Sequence, residues 1–276
     1  MNNIKIDIIS DLHIEQWDSS IENKYPSGKI KNFPYNVNKK SNILIIAGDI
    51  SDNLEISLEY LNKLSEKYDS ILFVDGNHEH TLKYPNLYTI DEIQNKLNKL
   101  NKQNIYYLPK THIVINNTVI FGICGWWDYN NQNKDCILEN KDYFKGWINH
   151  FTENDNLEFI NNVIKRSTDE YLYLKKYIEL YNDDNNINNI IVVSHTIPLF
   201  EYLKNDNIEN SNKKSNGCNS KFKEIIDNNK KISHWIFGHT HEQIEFNYNN
   251  INFICHPRGR PEDFNREKYE LKTIYI

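Results

Sequence analysis

The chain is 276 residues long, 25% of them charged, with a net charge of −6 and an isoelectric point near 5.9. That acidity makes nucleic acid a poor default partner, because its phosphates are repelled outside a locally basic cleft, while a small phosphorylated substrate drawn in by bound cations stays open. No apolar run approaches the ~20 residues of a membrane span and no basic-then-apolar leader precedes the first strand pattern, so a cytoplasmic protein without membrane attachment is expected.

In chain order, a strand pattern at Ile4 to Ser10 runs into Asp11-Leu12-His13, and the all-apolar Ile43 to Ala47 runs into Gly48-Asp49-Ile50-Ser51-Asp52. Helical periodicity follows at Leu54 to Lys67. A third strand, Ile71 to Val74, precedes Gly76-Asn77-His78-Glu79, and a second helix is predicted at Ile90 to Leu100. Thr111 to Ile115 and Val119 to Ile123 read as a hairpin around Asn116-Asn117. The segment at about 126–151 is rich in aromatics (Trp126, Trp127, Tyr129, Tyr143, Phe144, Trp147) and either caps a site or forms a satellite hydrophobic cluster; Asp128 within it can reach a site, though nothing in the sequence requires it. A long amphipathic helix is predicted at Leu157 to Tyr181, then a strand at Ile190 to Ser194 that leads into His195. Residues 204–219, rich in Asn, Lys and Ser, read as a flexible surface loop. The strand at His234 to Phe237 ends in Gly238-His239-Thr240-His241, and further strands are read at Gln243 to Tyr248, Ile251 to Cys255 and Lys272 to Ile276. Between the last two, Arg258 and Arg260 either clamp a phosphate or pair on the surface with Glu262 or Asp263. No linker divides these motifs, so residues 1–276 are read as one domain. Cys124, Cys136, Cys218 and Cys255 are widely spaced and form no paired motif, which fits reduced structural thiols.

The polar clusters that close five of these strands carry the chemistry. Together they offer two aspartates, one asparagine and four histidines, with His78 left over. Imidazole and carboxylate suit ions such as Zn, Mn and Fe. Holding two such ions about 4 Å apart calls for a carboxylate between them, and Asp49 is the candidate for that bridge. Asp11 and His13 stand two apart, as do His239 and His241, a spacing that in extended backbone sends both side chains to one side. Glycines at 48, 76 and 238 let the backbone turn and approach an ion closely.

From Asp11 to His241 this pattern resembles the calcineurin-like metallophosphoesterases, with each metal-ligand position of their motifs filled. The resemblance implies an α/β fold, a four-layer α/β/β/α sandwich of two mixed β-sheets flanked by helices. It implies one ion on Asp11, His13, Asp49 and His241, and another on Asp49, Asn77, His195 and His239, with Mn, Fe or Zn as the expected metals. His78 would assist the leaving group, oriented by Asp52, and Glu79 would be structural. Asn53 stands where the protein Ser/Thr phosphatase branch carries a phosphate-binding arginine, which points away from that branch. Asp11 likewise stands where RNA-debranching and double-strand-break nuclease relatives begin with cysteine or histidine. The implied activity is phosphate-ester hydrolysis (phosphodiesterase or phosphomonoesterase) by in-line attack of a metal-bridging hydroxide on a small phosphorylated substrate, nucleotides included. The alternative is a non-catalytic metal-binding scaffold for protein interaction; such relatives typically lose His78 or some ligands, and here none is missing.

Overall fold

Alternation along the apolar strands decides the layering. In Ile43-Leu44-Ile45-Ile46-Ala47, Leu44 and Ile46 enter one buried cluster while Ile45 and Ala47 enter another. A strand that is apolar on both faces must be covered on both, the signature of a sheet sandwiched between two layers. The computed structural model describes residues 4–17, 38–141, 152–199, 217–263 and 269–276. Among them are β1 (Lys5–Ile9), β2 (Ile43–Ala47), β3 (Ser70–Val74), β4 (Ile105–Tyr107), β5 (Thr111–Ile115), β6 (Thr118–Gly122), β7 (Asn189–Val193), β8 (Ile232–Phe237), β9 (Ile244–Tyr248), β10 (Ile251–Cys255) and β11 (Lys272–Tyr275).

One sheet has the order β11-β1-β2-β3-β4 and the other β5-β6-β7-β8-β10-β9. In the first, β11 alone runs antiparallel to its neighbour; in the second, the β5–β6 and β9–β10 pairs are antiparallel and the remainder parallel. Both sheets are therefore mixed. Ile6, Ile8, Ile45, Leu72 and Val74 of one meet Ile120, Ile191, Val193, Ile236 and Ile254 of the other. Helices Leu54–Leu64 and Ile90–Asn98 pack on the outer face of the first sheet, and helices Glu153–Asn182 and Phe222–Asn228 on the outer face of the second. This is the expected four-layer α/β/β/α sandwich.

Departures from the sequence reading are local. The edge strand β4 has three residues, too few to show alternation. Helices Ile14–Trp17, Lys134–Asn140 and Phe222–Asn228 are at most seven residues long, under two full turns, so their periodicity is not legible. The long helix begins at Glu153 because the Thr152 hydroxyl accepts from the Asp155 N–H (3.1 Å), a cap upstream of the first apolar position. Asp7, inside β1, is fully buried and accepts from Lys40 N, Ser41 N, Tyr68 Oη and Thr273 Oγ1. A carboxylate is tolerated in such a place only when hydrogen-bonded, and this one ties β1 to its surroundings.

In the aromatic segment, Trp126, Trp127 and Tyr129 are buried with Phe159, Ile160 and Val163 as a satellite cluster. Tyr143, Phe144 and Trp147 lie outside the described residues, as do 204–216 of the polar run. Asn219, at the end of that run, is buried and donates to Ser167 O at 3.0 Å.

Candidate metal centre

The five polar clusters meet at the carboxyl ends of β1, β2 and β3 in one sheet and of β7 and β8 in the other, where α/β sheets gather their ligand sites. The backbone there is not extended. Asp11, His13, Asp49, His239 and His241 have φ between 41° and 71°, the left-handed region that non-glycine residues rarely adopt. This corrects the two-residue argument. Asp11 and His13 converge whereas His239 and His241 part, although all four are left-handed, so two-residue spacing does not decide the grouping. His241 joins Asp11 and His13; His239 joins Asp49 and His195.

Within each group the ligand atoms lie within 4.8 Å of one another. His13 Nε2 faces His241 Nε2 across 2.9 Å, and His241 Nε2 is 3.8 Å from Asp11 Oδ1. In the second group, His195 Nε2 lies 3.0 Å from Asp49 Oδ2 and 3.1 Å from Asn77 Oδ1, and His239 Nδ1 is 3.0 Å from the same asparagine oxygen. Asp49 also clusters with His13 and His78, so one carboxylate reaches both groups. Asp11 gives Oδ1 to the His239 N–H (2.8 Å), and Asp49 gives Oδ1 to the His78 N–H (2.9 Å). Their Oδ2 atoms and His13 Nδ1 are buried without a hydrogen bond. Buried polar atoms left orphaned by the protein call for an unseen partner, and nitrogen and carboxylate oxygen atoms converging at about 3 Å fit cations.

The surroundings hold this geometry. Glu79 accepts from the backbone N–H groups of Asp49, Ile50, Ser51 and Gly76 and from Ser57 Oγ, joining the loops after β2 and β3. The Nδ1–H of His195 donates to Ala47 O (2.8 Å), which fixes the tautomer that leaves Nε2 open. A Cβ at Gly76 would stand 2.1 Å from Asp49 Oδ1, so the Asp49 carboxylate sits where only glycine leaves room. Asn53 caps helix Leu54–Leu64, accepting from Glu55 N at 3.0 Å. Asp128 accepts from Ser220 N (3.1 Å) and Ser220 Oγ (2.6 Å) and joins none of the candidate metal groups among the described residues. Below the site, buried Glu170 accepts from Gly125 N, Trp126 N and Arg166 Nε, while Arg166 and His80 flank buried Asp75.

His78 is oriented by Asp52, whose Oδ1 takes its Nδ1–H in a short hydrogen bond, and its Nε2 lies 3.7 Å from Asp49 Oδ2. Burial opposes charge on His78, but the Asp49 and Asp52 carboxylates outweigh it and raise its pKa to about 9. The balance is similar at His195, raised to about 10 against burial by Asp49. Burial wins at His239, lowered to about 3, and at His13, well below the usual histidine range. Glu15, missed in the sequence, is buried beside His13 and Asp52; burial and Asp52 push its pKa up to about 7. Only its place two residues beyond His13 could have signalled it.

The loop after β10 also reaches the centre. Arg258 is buried with its guanidinium 3.9 Å from the centre of the Trp17 ring. Gly259 N donates to Asp11 O (2.8 Å), and the charge of Arg260 is near enough to oppose protonation of His13 and His78. Asp263, which the sequence offered only as a surface partner for arginine, accepts from His241 Nδ1 at 2.9 Å.

Residues 4–243 match the family model described as calcineurin-like phosphoesterase. A sequence relative, Uncharacterized protein L509 of Acanthamoeba polyphaga mimivirus, is 26% identical over 270 residues, covering 93% of this chain and 91% of the viral one. Among solved structures, phosphopantetheinyl hydrolase (PptH) from Mycobacterium tuberculosis superposes with a TM-score of 0.69 at 14% identity, covering 99% of this chain and 96% of its own. A dimetal phosphatase from Danio rerio superposes at 0.56 and 13% identity, with coverage of 99% and 92%. At such identities these two likenesses establish the shared fold.

Proposed function

This chain belongs to the calcineurin-like phosphoesterase family, and from that premise we propose that it is a dinuclear metal-dependent phosphoesterase acting on small phosphate esters, nucleotides included. The observation that carries the reading is Asp49: buried, with one oxygen free of hydrogen bonds and within ligand distance of histidines from both groups. Asp11, His13, Asp49 and His241 would hold one ion; Asp49, Asn77, His195 and His239 would hold the other, with Mn, Fe or Zn as the fitting metals. When bound, such a pair activates water for in-line attack on phosphorus and neutralises the phosphoryl oxygens.

The chain's own residues supply the rest. His78, fixed through Nδ1 by Asp52, presents Nε2 to give a proton to the departing oxygen. Asn53 serves as a helix cap, so the candidate for a cation meeting a phosphoryl oxygen is Arg260, whose loop abuts Asp11 and whose charge is felt at His13 and His78. Glu79 keeps the loops bearing Asp49 and His78 in one geometry, so nucleophile and acid sides stay aligned.

The test is turnover by Mn-reconstituted protein on p-nitrophenyl phosphate and bis-p-nitrophenyl phosphate, with His78→Ala beside it. Loss of a positioned general acid costs roughly 10²–10⁴-fold, most on substrates with poor leaving groups. Full turnover of alkyl phosphates by His78→Ala would remove His78 from that role. No turnover on either substrate with two ions bound would replace the enzyme by the metal-binding scaffold.

A further inference from the structure

The two halves of the centre are supported unequally. His195 is steadied through Nδ1 by a neutral acceptor, Ala47 O at 2.8 Å. His241 is steadied through Nδ1 by an anion, Asp263 Oδ2 at 2.9 Å. The same Asp263 oxygen accepts from Arg260 N (2.7 Å), and Asp263 N donates back to Arg260 O (3.0 Å), a closed turn that fixes the carboxylate. That turn is clamped to the first motif. Arg258 N donates to Ser10 O, Gly259 N to Asp11 O, and Trp17 Nε1 to Gly259 O, with Arg258 laid on the Trp17 ring.

We infer that Asp263 is a positioning residue for His241 that selectively strengthens the ion held by Asp11, His13 and His241. The inference rests on the dinuclear reading above. A carboxylate on the far nitrogen of a ligating histidine sets its tautomer and orientation and makes the near nitrogen more basic; a carbonyl does the first without adding charge. The loop after β10 is thus a sixth contributor to the centre, one that supplies no ligand of its own. Removing an outer partner of this kind typically costs 10–100-fold in metal affinity.

The experiment is equilibrium dialysis of the metal-stripped full chain against Mn²⁺, with stoichiometry read by elemental analysis. In Asp263→Asn, nearly isosteric, one Mn²⁺ should weaken by about 10–100-fold while the other keeps its parental affinity. The metal-free variant should melt with the parent, which separates positioning from folding. Pairing the variants identifies the ion. Asp263→Asn with His241→Ala should hold one Mn²⁺ at the affinity of His241→Ala alone, whereas Asp263→Asn with His195→Ala should hold its remaining Mn²⁺ about 10–100-fold more weakly than His195→Ala alone. Equal weakening of both ions, or of neither, overturns the role of Asp263 and leaves the dinuclear centre standing. A parent that binds fewer than two Mn²⁺ overturns the centre itself.

Discussion

Replacing Gly76 by alanine tests whether the position of Asp49 sets the activity. The added Cβ would lie 2.1 Å from Asp49 Oδ1 and 2.7 Å from Asp49 N. The second contact is to backbone that Glu79 pins through a 3.0 Å hydrogen bond, so the strain cannot be relieved by a rotamer change alone. Side-chain carbons essentially never approach below 3.0 Å, so the carboxylate must retreat by roughly 1 Å. That breaks its 2.9 Å bond from His78 N and moves the oxygen shared between the two metal groups. Overpacking of this kind costs about 1–3 kcal/mol, a fall in melting temperature of roughly 2–10 °C for a chain of this size. A displacement of about 1 Å at a reacting centre costs on the order of 100-fold in rate. The assays are thermal unfolding of the metal-free protein, Mn²⁺ stoichiometry, and turnover of bis-p-nitrophenyl phosphate. A Gly76→Ala variant with parental metal content and parental turnover would refute the reasoning, even if it melted earlier.

Asp49→Asn should lose metal and activity together, because an amide cannot balance the charge of two cations; a variant with both ions at full occupancy would contradict the bridge. Arg260→Ala should lower kcat/KM by roughly 10–100-fold, the worth of one charge-assisted hydrogen bond, with Mn²⁺ binding intact. An unchanged kcat/KM would remove Arg260 from substrate contact. His112 sits between Tyr173 Oη (2.9 Å) and Tyr181 Oη (2.8 Å), and burial lowers its pKa below the ordinary value. The unfolded chain therefore binds this proton more readily, so stability should fall as pH drops through about 6.5 toward the folded pKa, and hold above it. His112→Phe should flatten that part of the stability–pH curve in denaturant titrations; an identical slope would show that the imidazole contributes nothing to it.

The amino-acid sequence by itself marked out the candidate site. Asp11, His13, Asp49, Asn77, His195, His239 and His241 stand out as candidate ligands because metal ligation demands particular side chains, and turns at strand ends leave a local trace of polar residues and glycine after an apolar run. The strand and helix pattern showed a mixed α/β chain, and the four-layer sandwich came from the family resemblance; the structure shows why it holds, since strands apolar on both faces, as in Ile43–Ala47, require cover on both. Tertiary structure decided what depends on distance along the chain. The split of His239 and His241 between the two groups came from the family resemblance alone, and it is the tertiary arrangement, not their two-residue spacing, that brings each to its partners. Asp7, Glu170 and Asp263 look like ordinary acids in the sequence. Their roles arise from partners 34, 45 and 22 residues away (Ser41, Gly125 and His241), contacts that exist only once the sheets have paired. Short-range pattern records the demands of local backbone and ligand chemistry, whereas the hydrogen bonds that orient those ligands are made across the fold and leave no periodicity to read.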